Sequence, residues 1–299
     1  MQLLVDADAA RAVAELAAGE WSRSGGDPFA PGVSDGDPWP MGLVPDFTEV
    51  PVGIARTRPR WRKIRQVREA ADLTRDAIMA AERTIYIEAQ YFTDFRLGDV
   101  VAKRLREPDG PEVVVLVSRT MHGFIESVFM NGNRRRLVRK LRQNDRFNRL
   151  RIWHPVVPAV EGEREVLIHA KAVIVDDRFL RIGSSNLNNR SVGFDLECDL
   201  AIEAENSESA GAICAVRSRL VAEHLGRSPA EIAAAVAATG SLIGGIEKLN
   251  DGGRHLSPFT PTGDGPTTPV FGTRLVDPRH PSVLRLPFRR FWRGRRRNA

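Results

Sequence analysis

The sequence predicts an α/β fold, a mixed β-sheet sandwiched by helices, with a poorly structured C-terminal tail. Three observations predict it. Short β-branched and aromatic runs alternate with amphipathic segments of helical period. One run, 112–118 (EVVVLVS), is almost continuously apolar, as a strand covered on both faces must be. After about Gly252 the pattern dissolves into Gly, Pro and Thr (GDGPTTPVFG). Alternation of this kind places helices on both sides of one sheet. The expected division is 1–49 as an N-terminal helix and Gly/Pro-rich linker, 50–250 as the α/β domain, and 251–299 as an irregular tail with a basic end.

Residues 8–21 carry Ala, Leu and Val at helical spacing, with Asp6 or Asp8 as candidate N-cap. Residues 24–45 are dominated by Gly, Pro and Asp and read as loop. A short apolar stretch at 50–56 predicts a strand. An amphipathic helix is expected over 68–84, with Ala71, Ile78 and Met79 on one side. The run TIYIE at 84–88 predicts a strand. A helix over 96–106, the strand at 112–118 and a very basic helix over 132–148 follow. Strands are expected at 150–153, 166–176, 179–183 and 197–203. Helices are expected at 206–224 and 229–238, the last closing at Gly240.

Composition narrows the function classes. Hydrophobic residues at 42% suffice for a core. Cys198 and Cys214 cannot form a disulfide framework and are expected as buried free thiols. No run of eighteen apolar residues exists to span a membrane as a helix. The opening segment carries Asp6 and Asp8 without an early cationic stretch, unlike a secretory signal, so the expected compartment is the cytoplasm. The chain holds 44 basic and 38 acidic residues; without the seven arginines of 281–299, 37 face 38. A basic body would have pointed to a nucleic-acid groove, so nucleic acid is not the expected partner. The tail mixes its arginines with Phe288, Phe291 and Trp292. That mixture suits an anionic membrane surface, polyanion phosphates or a solubilising tail. The cations Arg134, Arg135, Arg136, Arg139, Lys140 and Arg142 read as a solvated helix face.

The densest signal is His169, Lys171, Asp176, Gly183, Ser184 and Asn186, spaced H-x-K-x4-D-x6-G-S-x-N. By average residue usage it arises by chance roughly once in 10^5 chains of this length. Residues two apart on a strand share a face, so His169 and Lys171 should point together. A two-residue turn at Asp177-Arg178 would set Lys171 opposite Ser184 and His169 opposite Asn186. Lys171 and Asn186 would then neutralise and orient phosphate oxygens, while Ser184 and Ser185 either supply a phosphate or histidine contact or merely shape the turn. The imidazole would attack phosphorus or protonate the leaving oxygen. Glu88 and Gln90 share a strand face and either line the pocket or form a buried polar pair. His122 follows an apolar strand, where active-site loops sit, or is an ordinary loop histidine.

This motif resembles that of the phospholipase D superfamily. The segment Ile85-Tyr86-Ile87-Glu88-Ala89-Gln90-Tyr91-Phe92 resembles the family's I-Y-I-E-N-Q-Y-F, with Ala89 in place of asparagine. Asn186-Leu187-Asn188-Asn189-Arg190-Ser191, followed by Glu197-Cys198-Asp199, is similar to the continuation of the second motif in bacterial two-motif phospholipases D. Roughly 1–245 resembles the C-terminal half of such an enzyme. The resemblance implies a phosphohistidine formed by one histidine and a leaving alcohol protonated by another. It also implies phosphate held by lysine and asparagine, and no metal or cofactor. It makes Glu197 the residue that orients His169, favouring the imidazolium and thus the acid role. Asp176 would support the motif structurally.

None of the other histidines (122, 154, 224, 255 and 280) has lysine two residues later, so the half-site stands alone. The expected function is phospholipase D-type hydrolysis or transphosphatidylation of phospholipids. It would be completed by a second copy or a separate first-half partner, with peripheral membrane association through the tail. Two alternatives stand beside it: a truncated, inactive C-terminal half, and a superfamily endonuclease acting as a homodimer.

Overall fold

The computed structural model describes residues 1–32, 36, 39–60, 63–120, 124–261 and 264–280, without the side chains of 124–128. His122 and the basic end at 285–297 lie outside the described residues. In chain order the elements are α1 (Ala7–Arg23), β1 (Gly53–Arg58), β2 (Val67–Arg68), α2 (Glu69–Ala80), β3 (Thr84–Ala89), α3 (Phe95–Leu105), β4 (Glu112–Val117) and α4 (Phe124–Asn144). They continue with β5 (Leu150–Pro158), β6 (Glu163–Glu165), β7 (Lys171–Val175), β8 (Phe179–Gly183), α5 (Asn189–Gly193) and β9 (Glu197–Glu203). The last are α6 (Ser207–Leu225), α7 (Pro229–Thr239), α8 (Leu242–Leu249), β10 (His255–Pro258) and α9 (Thr273–Val276).

The strands pair into one mixed sheet in the order β10-β5-β4-β3-β7-β8-β9-β1-β2, with β6 also on β5. Only β3, β4 and β5 are mutually parallel; the remaining pairs are antiparallel. Alternation sorts the apolar side chains onto two faces. Ile85, Ile87, Val113, Val115 and Val173 meet Ile78 of α2, Val101 and Leu105 of α3, and Leu137 and Leu141 of α4. Tyr86, Val114, Leu116, Ile174 and Leu180 meet Ile213 and Val221 of α6, Ile232 of α7 and Ile246 of α8. Burial of the central strands on both faces explains the near-continuous apolar run of β4.

Local chemistry sets the helix ends. Asn206 and Ser209 form a capping box on α6, as Ser228 and Glu231 do on α7, where Pro229 occupies the first turn. Gly226 and Gly240 close these helices at φ +62° and +65°, a conformation costly to any residue with a Cβ.

The structure corrects several expectations. The buried positions of α2 are Ala70, Thr74 and Ile78, four apart, and Met79 faces solvent. The basic helix begins at Phe124 rather than 132, and β5 runs five residues past 153. The strand expected over 166–176 is shorter: 166–170 leave the ladder, and only Lys171–Val175 pair. The segment expected to be irregular from 251 instead contributes β10, which pairs with β5, and α9. Cys198 and Cys214 are free and half-buried. No described helix is long and apolar enough to cross a membrane.

Candidate active site

The β7–β8 hairpin carries the motif, and its turn differs from the expected two-residue one. Val175 pairs with Phe179 and Arg178 N–H donates to Val175 O at 2.9 Å, so three residues form the loop. Asp176 and Asp177 adopt φ of +56° and +53°, the left-handed region that aspartate tolerates better than most residues. The register therefore slips by one, and extending it places Lys171 beside Gly183 rather than Ser184. The Asp176 carboxylate accepts the backbone N–H groups of Glu82, Arg83 and Thr84 at 2.7–2.8 Å. It thereby ties the start of β3 to the hairpin and points away from the motif's other end. Asp177 receives a two-pronged bond from buried Arg217 of α6, at 2.5 and 2.6 Å.

At the open end, His169 lies just before β7 with its ring exposed and without a hydrogen-bond partner among the described residues. Lys171 is half-buried, and its Nζ donates to Gln90 Oε1 at 3.0 Å and to His169 O at 3.1 Å. The nearby Lys171 ammonium, then burial, lowers the His169 pKa below 6.5 and keeps the imidazole neutral. This reverses the expectation that Glu197 would favour the imidazolium. Burial lowers the Lys171 pKa, opposed by the Glu197 charge. The backbone beside His169 is fastened from below. Ser118 Oγ accepts Ile168 N–H at 2.8 Å and donates to Ile168 O at 3.3 Å. Buried Arg134 donates to Ser118 O and Arg119 O, and stacks 4.5 Å from the Phe259 ring centre. Burial lowers its pKa to about 10, which still leaves it a cation near neutrality.

The loop carrying Ser184 and Asn186 is shaped by groups the motif reading did not single out. Arg181 and Asp199 are almost wholly buried, with Nε 2.9 Å from Oδ2. Arg181 also donates to Ser185 O at 2.8 Å, and Asp199 accepts Ser185 N–H at 3.0 Å. Asp199 lies directly over Gly183, where an added Cβ would come within 2.0 Å of its carboxylate; only glycine fits there. Glu197 accepts Ser184 Oγ–H and Ser191 Oγ–H, both at 2.6 Å, while Ser191 Oγ accepts Asn186 N–H at 3.0 Å. Its carboxylate thus spans the two ends of the loop around Asn186 and makes no described bond to His169. Burial raises its pKa, opposed by the two serine bonds. Asn186 Oδ1 is buried without a hydrogen-bond partner. Farther on, buried Asp277 accepts Asn189 N–H and Arg190 N–H at 3.1 and 2.8 Å, anchoring α5 from the segment after β10.

Glu88 and Gln90 part company. Gln90 reaches Lys171, whereas Glu88 is buried, accepting the Tyr86 hydroxyl at 2.6 Å with His224 Nε2 at 3.1 Å. Glu88 therefore stands apart from the patch. Ser191 and Asp199 lay within sequence segments already singled out, and Ser118 closes the apolar run of β4. Their roles depend on partners 6, 18 and 50 residues away respectively, and no spacing rule announces them.

Residues 74–214 match the family model described as cardiolipin synthase, PLD-like domain. The comparison with curated proteins finds no match. Among solved structures, the chain is similar to Nuc, a phospholipase D family member from Salmonella typhimurium. That similarity is at 17% identity and TM-score 0.36, over 55% of this chain and 89% of that one. NucT from Helicobacter pylori is similar at 18% and 0.36, over 51% and 85%. Phosphatidylserine synthase from Haemophilus influenzae Rd KW20 is similar at 18% and 0.43, over 58% of this chain and 39% of that one.

Proposed function

The chain is a member of the phospholipase D superfamily, and from that premise we propose that it cleaves or transfers phosphodiesters of phospholipids, using His169 as nucleophile. The observation that carries this reading is an exposed, unpartnered imidazole two residues before a lysine that depresses its pKa. A ring nitrogen of neutral His169 attacks phosphorus, and the bond from phosphorus to the departing alcohol oxygen breaks. Lys171 and the carboxamide of Asn186 hold the non-bridging oxygens as charge builds on them. A second imidazolium gives its proton to the departing alcohol. It then takes one from the water or alcohol that attacks the phosphohistidine, restoring His169. That second group comes from another copy of the chain or a separate partner. Among the described histidines other than His169, His224 is engaged with Glu88, His154 is buried, His255 faces Ser257, and His280, exposed after α9, has no lysine two residues later. Glu197 acts by fixing Ser184 and Ser191, and Asp176 by fixing β3 to the hairpin.

Choline release from phosphatidylcholine vesicles, measured against cleavage of plasmid DNA across a range of protein concentration, tests the proposal. Turnover of lipid that rises more steeply than linearly with concentration is expected, and DNA cleavage without lipid turnover would overturn it. His169→Ala should lower turnover by about 10^4-fold or more while leaving the thermal midpoint in place.

A further inference from the structure

A cavity of about 310 Å³ opens beside the motif, between α1 and the strand pair β1–β9. Ser184 and Glu197 form part of its wall, and these two residues are joined by the 2.6 Å bond that helps shape the Asn186 loop. Val13, Leu16 and Ala17 of α1 close one side, with Val67 and Leu196 opposite. Its charged wall residues are already engaged. Arg58 pairs with Glu20 at 3.0 Å, Arg56 grips Glu69 through Nε and Nη2 at 2.7 and 2.6 Å, and Glu197 is held by its two serines. Thr57 Oγ1 and Arg58 Nε lack partners but are buried out of a ligand's reach, so a sugar or nucleobase would find little to bond, whereas an apolar chain needs no polar group. The volume sits at the lower end for small-molecule sites, room for part of one chain rather than two. Leu196, large, apolar and 58% exposed, stands beside Glu197 where a chain would enter.

We infer that this cavity takes a single alkyl or acyl chain attached to the phosphate held at His169, Lys171 and Asn186. The inference rests on the phosphodiester reading above and deepens it. It makes α1 a wall of the substrate site and assigns the apolar part of the substrate a place of its own. A chain seated there withdraws methylenes from water, and each contributes about 0.8 kcal/mol.

Calorimetric titration of the full chain with decyl phosphate below its aggregation concentration, inorganic phosphate and decanol tests the inference. Decyl phosphate is expected to bind at least ~100-fold more tightly than inorganic phosphate, the effect of roughly four buried methylenes. Ala17→Trp, at an exposed position that lines the cavity, should erase at least ~10-fold of that gain and leave inorganic phosphate binding unchanged. Ala12→Trp, exposed on the same helix and outside the lining, should change neither. Val13→Trp, from the same wall, replaces Ala17→Trp if that variant shifts the melting midpoint. Decyl phosphate binding no tighter than phosphate would overturn the inference, as would a gain that neither tryptophan diminishes. Decanol separates the two readings. If it binds and the tryptophans exclude it while no phosphate binds, the cavity assignment stands and the phosphodiester reading fails. Phosphate binding with no gain from a chain does the reverse.

Discussion

At the turn of the β7–β8 hairpin, the Asp176 carboxylate accepts three backbone N–H groups and Asp177 holds the buried guanidinium of Arg217. Beyond the five residues of β7, at the open end, the His169 ring is exposed and Asn186 Oδ1 lacks a partner. The two ends share strands and core, yet one end has its hydrogen-bonding capacity spent and the other keeps it. A buried polar group left unpaired costs about 1–3 kcal/mol, so the open end persists because the rest of the hairpin is over-determined. The Arg181–Asp199 pair, Gly183 and the Glu197 clamp perform that fixing for the loop, and Asp176 performs it for the strand. The motif's residues thus divide into those that hold the backbone and those that it holds out.

Substitutions can break or sharpen this contrast. The largest stability effect should come from Asp199→Ala, which strands the buried Arg181 charge and frees Ser185 N–H. It should cost about 3–5 kcal/mol in urea unfolding; a loss under about 1 kcal/mol would mean the loop is held by other groups. Lys171→Met should lower phosphodiester turnover about 10^2–10^3-fold, with an unchanged unfolding midpoint, because its ammonium faces the open end. Asp176→Ala should do the opposite, costing about 1–3 kcal/mol of stability by leaving three N–H groups without their acceptor. Turnover per folded molecule should stay near that of the parent, as an assay at a temperature well below both midpoints would reveal.

The smallest effect is a titration. The His169 midpoint should lie below 6.5 by NMR. Attack needs the neutral ring, so the rate should fall as pH drops through that midpoint, while loss of the proton from the second imidazolium sets the fall at higher pH. In Lys171→Met the His169 midpoint should rise, since the main cause of its depression is gone. An unchanged midpoint would place the two groups farther apart than the hairpin suggests.

Much of this was legible in sequence because the constraints are local. Two-residue spacing put His169 and Lys171 at one end of a strand, and the apolar runs named β3, β4 and β9 within a residue or two. The turn was misread because Asp176 and Asp177 take left-handed geometry without a glycine to signal it. The strand was read too long because Val166 and Leu167 suit a ladder by composition. That stretch is instead held by Ser118 Oγ and by one bond from Val166 N–H to Pro155 O. The segment after 250 looked formless, since Gly and Pro hide β10 and the Asp277 anchor, both of which depend on distant partners. Tertiary pairing, which local propensity does not encode, accounts for each miss.

The outermost members of the sheet, β2 with two residues and β10 with four, have a consequence for company. Unsatisfied rows of amide and carbonyl groups invite foreign chains to add on and propagate. Here the described rims are stubby, and Pro258 presents no amide hydrogen on its side. Lateral extension into fibres or swapped ribbons is therefore discouraged.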